Sequence, residues 1–262
     1  MYRSKKCLRT FLGHNKPVRD ICFNSTGTEF VSCSFDKYIK HWDTETGKCI
    51  SYIQHSDIPY TVKIHPDLDK QNIILAACAD KKIMQWDLRS GEMIQEYNQH
   101  LDAVNSITFF DNNKKFVSSS DDKTLRVWEY DIPVTAKYIA DPNMHSMPQS
   151  ALHPDGDFIA FQSMNNQIVL YSVAQGKFQE RKKKFVGHSS AGYSCQVGFS
   201  PDGKYLISGD SRGHLVVWDW RNGQLVKKLE GHSQVCIGVE WHPQEQSKVA
   251  TCSWDGSIKL WD

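Results

Sequence analysis

The chain has 262 residues, enough for one large domain whose core needs no disulfide staple. Lys and Arg number 31 against 30 Asp and Glu, so a formal charge of +1 excludes binding of nucleic acid or membrane by bulk attraction; any basic surface must be local. Eight cysteines without a CxxC pair read as reduced packing residues, and the polar start MYRSKKCLRTF lacks a signal peptide's apolar stretch, so a soluble intracellular chain is expected.

Residues 6–12 read as an outer strand running into Gly13-His14. Then comes VRDICFNSTGTEFVSCSFDKYIKHWD, three short segments separated by turn residues and closed by Trp42-Asp43, with GKCISYI as a further strand. The same rhythm recurs along the chain. Histidines at 14, 55, 100, 145, 188 and 232 are spaced by 41, 45, 45, 43 and 44 residues, and each precedes a strand closed by an aromatic: Trp42, Trp86, Trp128, Tyr171, Trp218 and Trp261. The second unit holds the apolar run IILAACA (73–79), too short for a bilayer and suited to a buried strand. The third holds SDDKTLRVWEYD and leads into DIPVTAKYIADPNMHSMP, either a partner-facing connection or a rigid turn. The fourth carries RKKK at 181–184, which reads either as charge protecting an edge strand or as an RNA contact. Six units follow, near 13–54, 55–99, 100–144, 145–187, 188–231 and 232–262, each expected to be a four-stranded antiparallel blade of one domain over 1–262.

These residues resemble the WD-repeat family, and the resemblance implies an all-β propeller, with blades set around a central channel. Six blades are encoded here where the family form implied has seven, and residues 6–12 are expected to complete the last blade. The resemblance also implies a hydrogen-bonded network in each regular blade: His14, Ser34, Asp36 and Trp42; His100, Ser120, Asp122 and Trp128; His232, Ser253, Asp255 and Trp261. A catalytic triad needs one preorganised copy, whereas these sets recur in register with the fold, so a structural role is expected. Buried imidazole, hydroxyl and indole groups cost free energy unless they satisfy one another. Units two, four and five depart, with Ala77-Cys78-Ala79 before Asp80, Asn165 and Tyr171 replacing Asp and Trp, and Arg212 at the Asp position. Partial networks are expected there.

Residues after the network Asp fall at equivalent places on one rim: Lys37, Lys81 and Lys123, then Asn166, Gly213 and Gly256. With Lys82, the aromatics Phe35 and Trp254, and Arg19, Tyr60 and Asn105 from the first strands, they form a candidate partner-binding rim suited to an acidic protein segment or an RNA backbone. Ordinary solvated turn lysines are the alternative.

Stretches such as GHNKPVRDICFN, DKKIMQWDLRSGEMIQEY and KYIADPNMHSMP resemble the spliceosomal members of the family more closely. That resemblance implies a nuclear, non-catalytic scaffold supporting the second transesterification of pre-mRNA splicing, as a monomer within a large complex. The implied partners are spliceosomal proteins and small nuclear RNA or pre-mRNA backbone, with no membrane, no cofactor and no metal. A general WD-repeat adaptor, such as a ubiquitin-ligase substrate receptor, is the second reading. An enzyme is not expected: there is no P-loop, zinc spacing or unrepeated nucleophile set, and His41, His65, His153, His214 and His242 form no ligand pattern.

Overall fold

The computed structural model describes residues 7–262. Short runs rich in Val, Ile, Phe and Trp, broken by Gly, Asn, Asp and Ser, fold into antiparallel sheets. The first sheet joins β1 (Val18–Phe23), β2 (Glu29–Ser34), β3 (Tyr38–Asp43) and β4 (Cys49–Gln54); the second joins β5 (Pro59–Ile64), β6 (Ile73–Cys78), β7 (Ile83–Asp87) and β8 (Met93–Tyr97). The third holds β9 (Val104–Phe110), β10 (Lys115–Ser120), β11 (Leu125–Glu129) and β12 (Thr135–Ile139); the fourth β13 (Gln149–Leu152), β14 (Phe158–Ser163), β15 (Gln167–Ser172) and β16 (Gln179–Phe185). β17 (Val197–Phe199), β18 (Tyr205–Gly209), β19 (His214–Asp219) and β20 (Leu225–Glu230) make the fifth, and β21 (Cys236–Trp241), β22 (Val249–Ser253) and β23 (Ile258–Trp261) the sixth. Strands pair in chain order within each sheet, as a six-bladed propeller requires, and the described residues contain no α-helix.

The outer strand bulges at a fixed height. Ile50 is left unpaired opposite the His41-Trp42 step, and Ile94, Ala136 and Val226 are the matching residues opposite Trp86, Trp128 and Trp218. The fourth sheet differs: Val169 faces Lys184 and Leu170 faces Arg181, so Lys182 and Lys183 both stand outside the ladder.

Two compact units are present, Met1–Ile107 with Asp131–Val134 and Thr108–Tyr130 with Thr135–Asp262. In the first, the facing surfaces of the first two sheets bury Val31, Cys33, Ile39, Val62, Ile64 and Ile74 together. In the second, one cluster packs Val117 and Leu125 against Ile159 and Phe161, another packs Ile168 and Leu170 against Val197 and Trp218, and a third packs Ile207 and Leu215 against Val239 and Val249. Each such aliphatic side chain contributes about 1.5–3 kcal/mol on full burial. All eight thiols are free, with Cys33 and Cys78 buried in the first unit and Cys195 and Cys236 in the second. Burial pushes the Cys195 and Cys236 thiols up to about 12.

The fourth strand expected for the sixth blade from residues 6–12 is not formed among the described residues. Lys6 lies outside them, residues 7–12 carry no strand, and the sixth sheet has three strands. Phe11 instead sets its ring edge-on against Phe30 at 4.8 Å and Trp42 at 5.8 Å, so aromatic packing rather than strand pairing seats this segment.

Candidate partner-binding surface

The rim turns are held by the networks beneath them. In the first blade, His14 Nδ1 lies 2.8 Å from Asp36 Oδ2, its Nε2 lies 2.7 Å from Ser32 Oγ, and Trp42 Nε1 donates to that same oxygen at 2.8 Å. One proton arrangement satisfies every link: indole N–H to Ser32, the Ser32 hydroxyl to Nε2, and Nδ1–H to the carboxylate. The sixth blade repeats this with Thr251, which accepts from Trp261 Nε1 at 2.9 Å and lies 2.8 Å from His232 Nε2. There Ser257 intervenes, its Oγ 2.8 Å from His232 Nδ1 and 2.6 Å from Asp255 Oδ1. In the third blade Trp128 Nε1 donates to Ser118 Oγ at 2.8 Å.

The network hydroxyl is therefore Ser32, Ser118 or Thr251, not Ser34, Ser120 or Ser253 as expected. Strand register explains the correction. Trp42 stands opposite Phe30, and its indole reaches the next same-face residue, Ser32. Ser34 sits one step further along and takes another task, its Oγ accepting the Asp36 N–H at 3.1 Å; Ser120 and Ser253 do the same for Asp122 and Asp255, each at 3.1 Å.

Burial alone would raise the Asp36 carboxyl, but hydrogen bonds from His14 and from the amides of Tyr38 and Asn15 outweigh it and hold the group below the usual range. The Ser257 hydroxyl and amide hold Asp255 far below it.

The divergent blades solve the problem differently. Ala76 stands where Ser32 does, and Trp86 Nε1 donates directly to His55 Nε2 at 3.0 Å; burial keeps His55 neutral, its pKa lowered to about 4. In the fourth blade Phe161 takes the hydroxyl position, its ring edge-on to Tyr171 at 5.5 Å, and His145 is exposed. In the fifth, Asp210 supplies the carboxylate from the Ser34 position and is fully buried, at 0% exposure. It accepts from the amides of Arg212 and His214 at 2.9 Å each and lies 2.9 Å from both His214 Nδ1 and Lys228 Nζ. Burial would raise its pKa, and these donors reverse that to a lowered one. His188, lowered to about 4 by burial, turns to Gln162, and Trp218 donates to the Val186 carbonyl at 2.8 Å. Asp210 and the Ser32-type hydroxyls escape identity matching with the regular repeat; strand register is the signal that finds them.

The residue after the network Asp is left-handed in all six turns: Lys37 (φ 70), Lys81 (φ 75), Lys123 (φ 62), Asn166 (φ 65), Gly213 (φ 84) and Gly256 (φ 79). Three lysines thus occupy a conformation that favours glycine or asparagine, at a cost of about 1–2 kcal/mol each. Lys81 and Lys123 are exposed and carry no ion pair among the described residues, whereas Lys37 pairs with Asp57 at 3.2 Å and half-buried Lys82 with Glu96 at 3.0 Å. Phe35 is 36% exposed, and Trp254, at 58%, meets the ring of Tyr193 edge-on at 5.1 Å. Arg19 lies over the Tyr60 ring, 5.5 Å from its centroid. Asn105 does not join this surface: at 7% exposure it is enclosed in β9, whose neighbouring residues are buried on both faces.

Six repeated antiparallel sheets, with His-hydroxyl-Trp networks in the first and sixth and a Trp-hydroxyl bond in the third, define a WD-repeat protein, and the family model described as "WD domain, G-beta repeat" matches residues 5–43, 91–129, 179–219 and 223–262; the chain belongs to this family. Pre-mRNA-processing factor 17 of Homo sapiens is 59% identical over 263 residues, covering 100% of this chain and 45% of that protein. Its Saccharomyces cerevisiae namesake is 39% identical over 266 residues, covering 100% of this chain and 58% of that protein. WD repeat-containing protein 25 of Mus musculus is 30% identical, covering 98% and 49%. The chain thus spans about half the length of these relatives, and in the human protein it matches the C-terminal part. Among solved structures, the β-propeller domain of Myceliophteria thermophila Cps50 (Swd1) superposes with a TM-score of 0.85 at 18% identity, over 97% of this chain and 85% of that one, which establishes the shared fold.

Proposed function

We propose that the chain is the propeller of a nuclear, non-catalytic splicing scaffold, acting as one domain within the spliceosome and supporting exon ligation through protein and RNA contacts. The observation that carries this reading is 59% identity, along the whole chain, to a protein named for pre-mRNA processing. Each unit supplies protein contacts of its own: in the first, Phe35 is an exposed aromatic anchor and Lys81 a cation without an ion pair among the described residues, and in the second Trp254 and Lys123 play the same parts, the lysines able to meet acidic segments. The general adaptor reading has no comparable support.

Affinity purification of the tagged chain from nuclear extract, with sequencing of bound RNA and identification of bound proteins, tests the reading. Spliceosomal small nuclear RNAs and lariat intermediate are expected. A folded chain that recovers none of them, or recovers ubiquitin-ligase subunits instead, overturns it. Trp254→Ala combined with Lys81→Gly and Lys123→Gly is expected to deplete the bound proteins.

A further inference from the structure

The second unit carries a groove of about 780 Å³ between the fourth and fifth blades, at the end of the strands opposite the rim turns. Phe158 and Leu170 line its floor, and Arg181, Lys182, Lys204 and Arg221 line its mouth. Asp219 is the acidic residue among the lining side chains. Lys204 pairs with Asp202 at 3.1 Å, but Arg181, Lys182 and Arg221 are exposed and have no carboxylate partner among the described residues. In a chain whose net charge is only +1, this is an uncompensated local excess.

The excess is built in by backbone geometry. The two-residue bulge in β16 turns Lys183 inward, where its ammonium donates to the Trp220 carbonyl and lies over the Trp220 ring at 4.4 Å from its centroid. That contact ties the two blades together and leaves Lys182 facing out. His153 also stacks with Trp220, at 4.5 Å with an interplanar angle of 27°, its Nε2–H donating to the Gly203 carbonyl at 2.9 Å. Gly203 is needed here, since at φ +69 any Cβ would stand 2.7 Å from the His153 ring. The groove wall is thus fixed by contacts that use Lys183 and His153; Arg181 lies over the Phe158 ring, 5.9 Å from its centroid, and Lys182 and Arg221 have no carboxylate partner among the described residues.

We propose that this groove binds the sugar-phosphate backbone of single-stranded RNA, with Arg181, Lys182 and Arg221 as the phosphate contacts. The choice of RNA rests on the splicing reading above; the choice of place rests on the groove alone. Two arginine forks and a lysine point charge suit phosphate oxygens. An acidic peptide added as a fifth strand is disfavoured because the bulge interrupts the β16 edge that such a strand would pair with. The Trp220 ring is already engaged by His153, Phe185 and Lys183, so base stacking there is disfavoured and binding is expected to show little sequence preference.

The test is fluorescence anisotropy of a short labelled oligouridine titrated with the purified chain at several salt concentrations. Arg181→Glu, Lys182→Glu and Arg221→Glu together should weaken binding by about tenfold or more and flatten the salt dependence by about 0.7 per lost contact. The same charge change at exposed Lys48, Lys114 and Lys177 should do neither beyond a small general effect. An unchanged thermal midpoint shows that the groove variant still folds. Equal losses from both triple variants, no oligouridine binding by the wild-type chain, or tighter binding of an oligoglutamate competitor at the groove each overturns the proposal. Because the titration uses no nuclear extract, its failure is distinct from a failure to recover small nuclear RNAs.

Discussion

The first and fifth blades hold the same turn with different chemistry. In the first, a carboxylate at the turn, Asp36, ties the blade to His14 in the loop before it. In the fifth, the carboxylate comes from two positions earlier, and Asp210 binds His214 and Lys228 within its own sheet while His188 turns to Gln162 of the fourth blade. The turn conformation survives the exchange, with φ 70 at Lys37 and φ 84 at Gly213. What the repeat conserves physically is a buried acceptor under a left-handed turn, and any position whose side chain points there can supply it.

The largest test of that comparison is Asp210→Ala, which strands Lys228 and two backbone amides. A loss of about 3 kcal/mol or more is expected from urea unfolding, and a loss below about 1 kcal/mol would show the fifth blade does not depend on its internal carboxylate. In the first blade, Ser32→Ala leaves the Trp42 indole and His14 Nε2 without a partner and should cost about 2 kcal/mol, against about 1 kcal/mol for Ser34→Ala. A reversed order would restore the expected tetrad.

Acid should separate the blades next. His55 and His188 are held near 4 in the fold against about 6.5 unfolded, so below pH 6.5 the unfolded chain takes up protons the folded one refuses. Stability is therefore complete above about pH 6.5 and falls as the pH drops toward 4. His188→Gln should reduce that slope, read as the urea midpoint against pH, and an unaltered slope would remove His188 from the account. The smallest effect is expected at the rim, where Lys81→Gly relieves a left-handed lysine and should raise stability by about 0.5–1 kcal/mol.

Much of this was legible in the sequence because the repeat is written at both ends of each blade, in the histidine spacing and in the closing aromatic. The strands and turns follow from those markers. The hydroxyl assignment failed at Ser34 because two serines stand two residues apart on one face, and only the pairing of Trp42 with Phe30 tells which one the indole reaches. Asp210 was hidden for a related reason: identity matching looked at Arg212, while the buried carboxylate entered from a neighbouring same-face position. The groove at Arg181 needed the bulge, which depends on how many residues β16 fits against β15, a quantity that alternation does not reveal.

The unpaired thiols carry a practical consequence. Cys33 and Cys78 lie buried in one unit and Cys195 and Cys236 in the other, so each half of the molecule contains its own pair of masked nucleophiles. Reaction with a small alkylating reagent, mapped by peptide mass, would time the exposure of each pair separately, making the chain its own two-channel clock for unfolding.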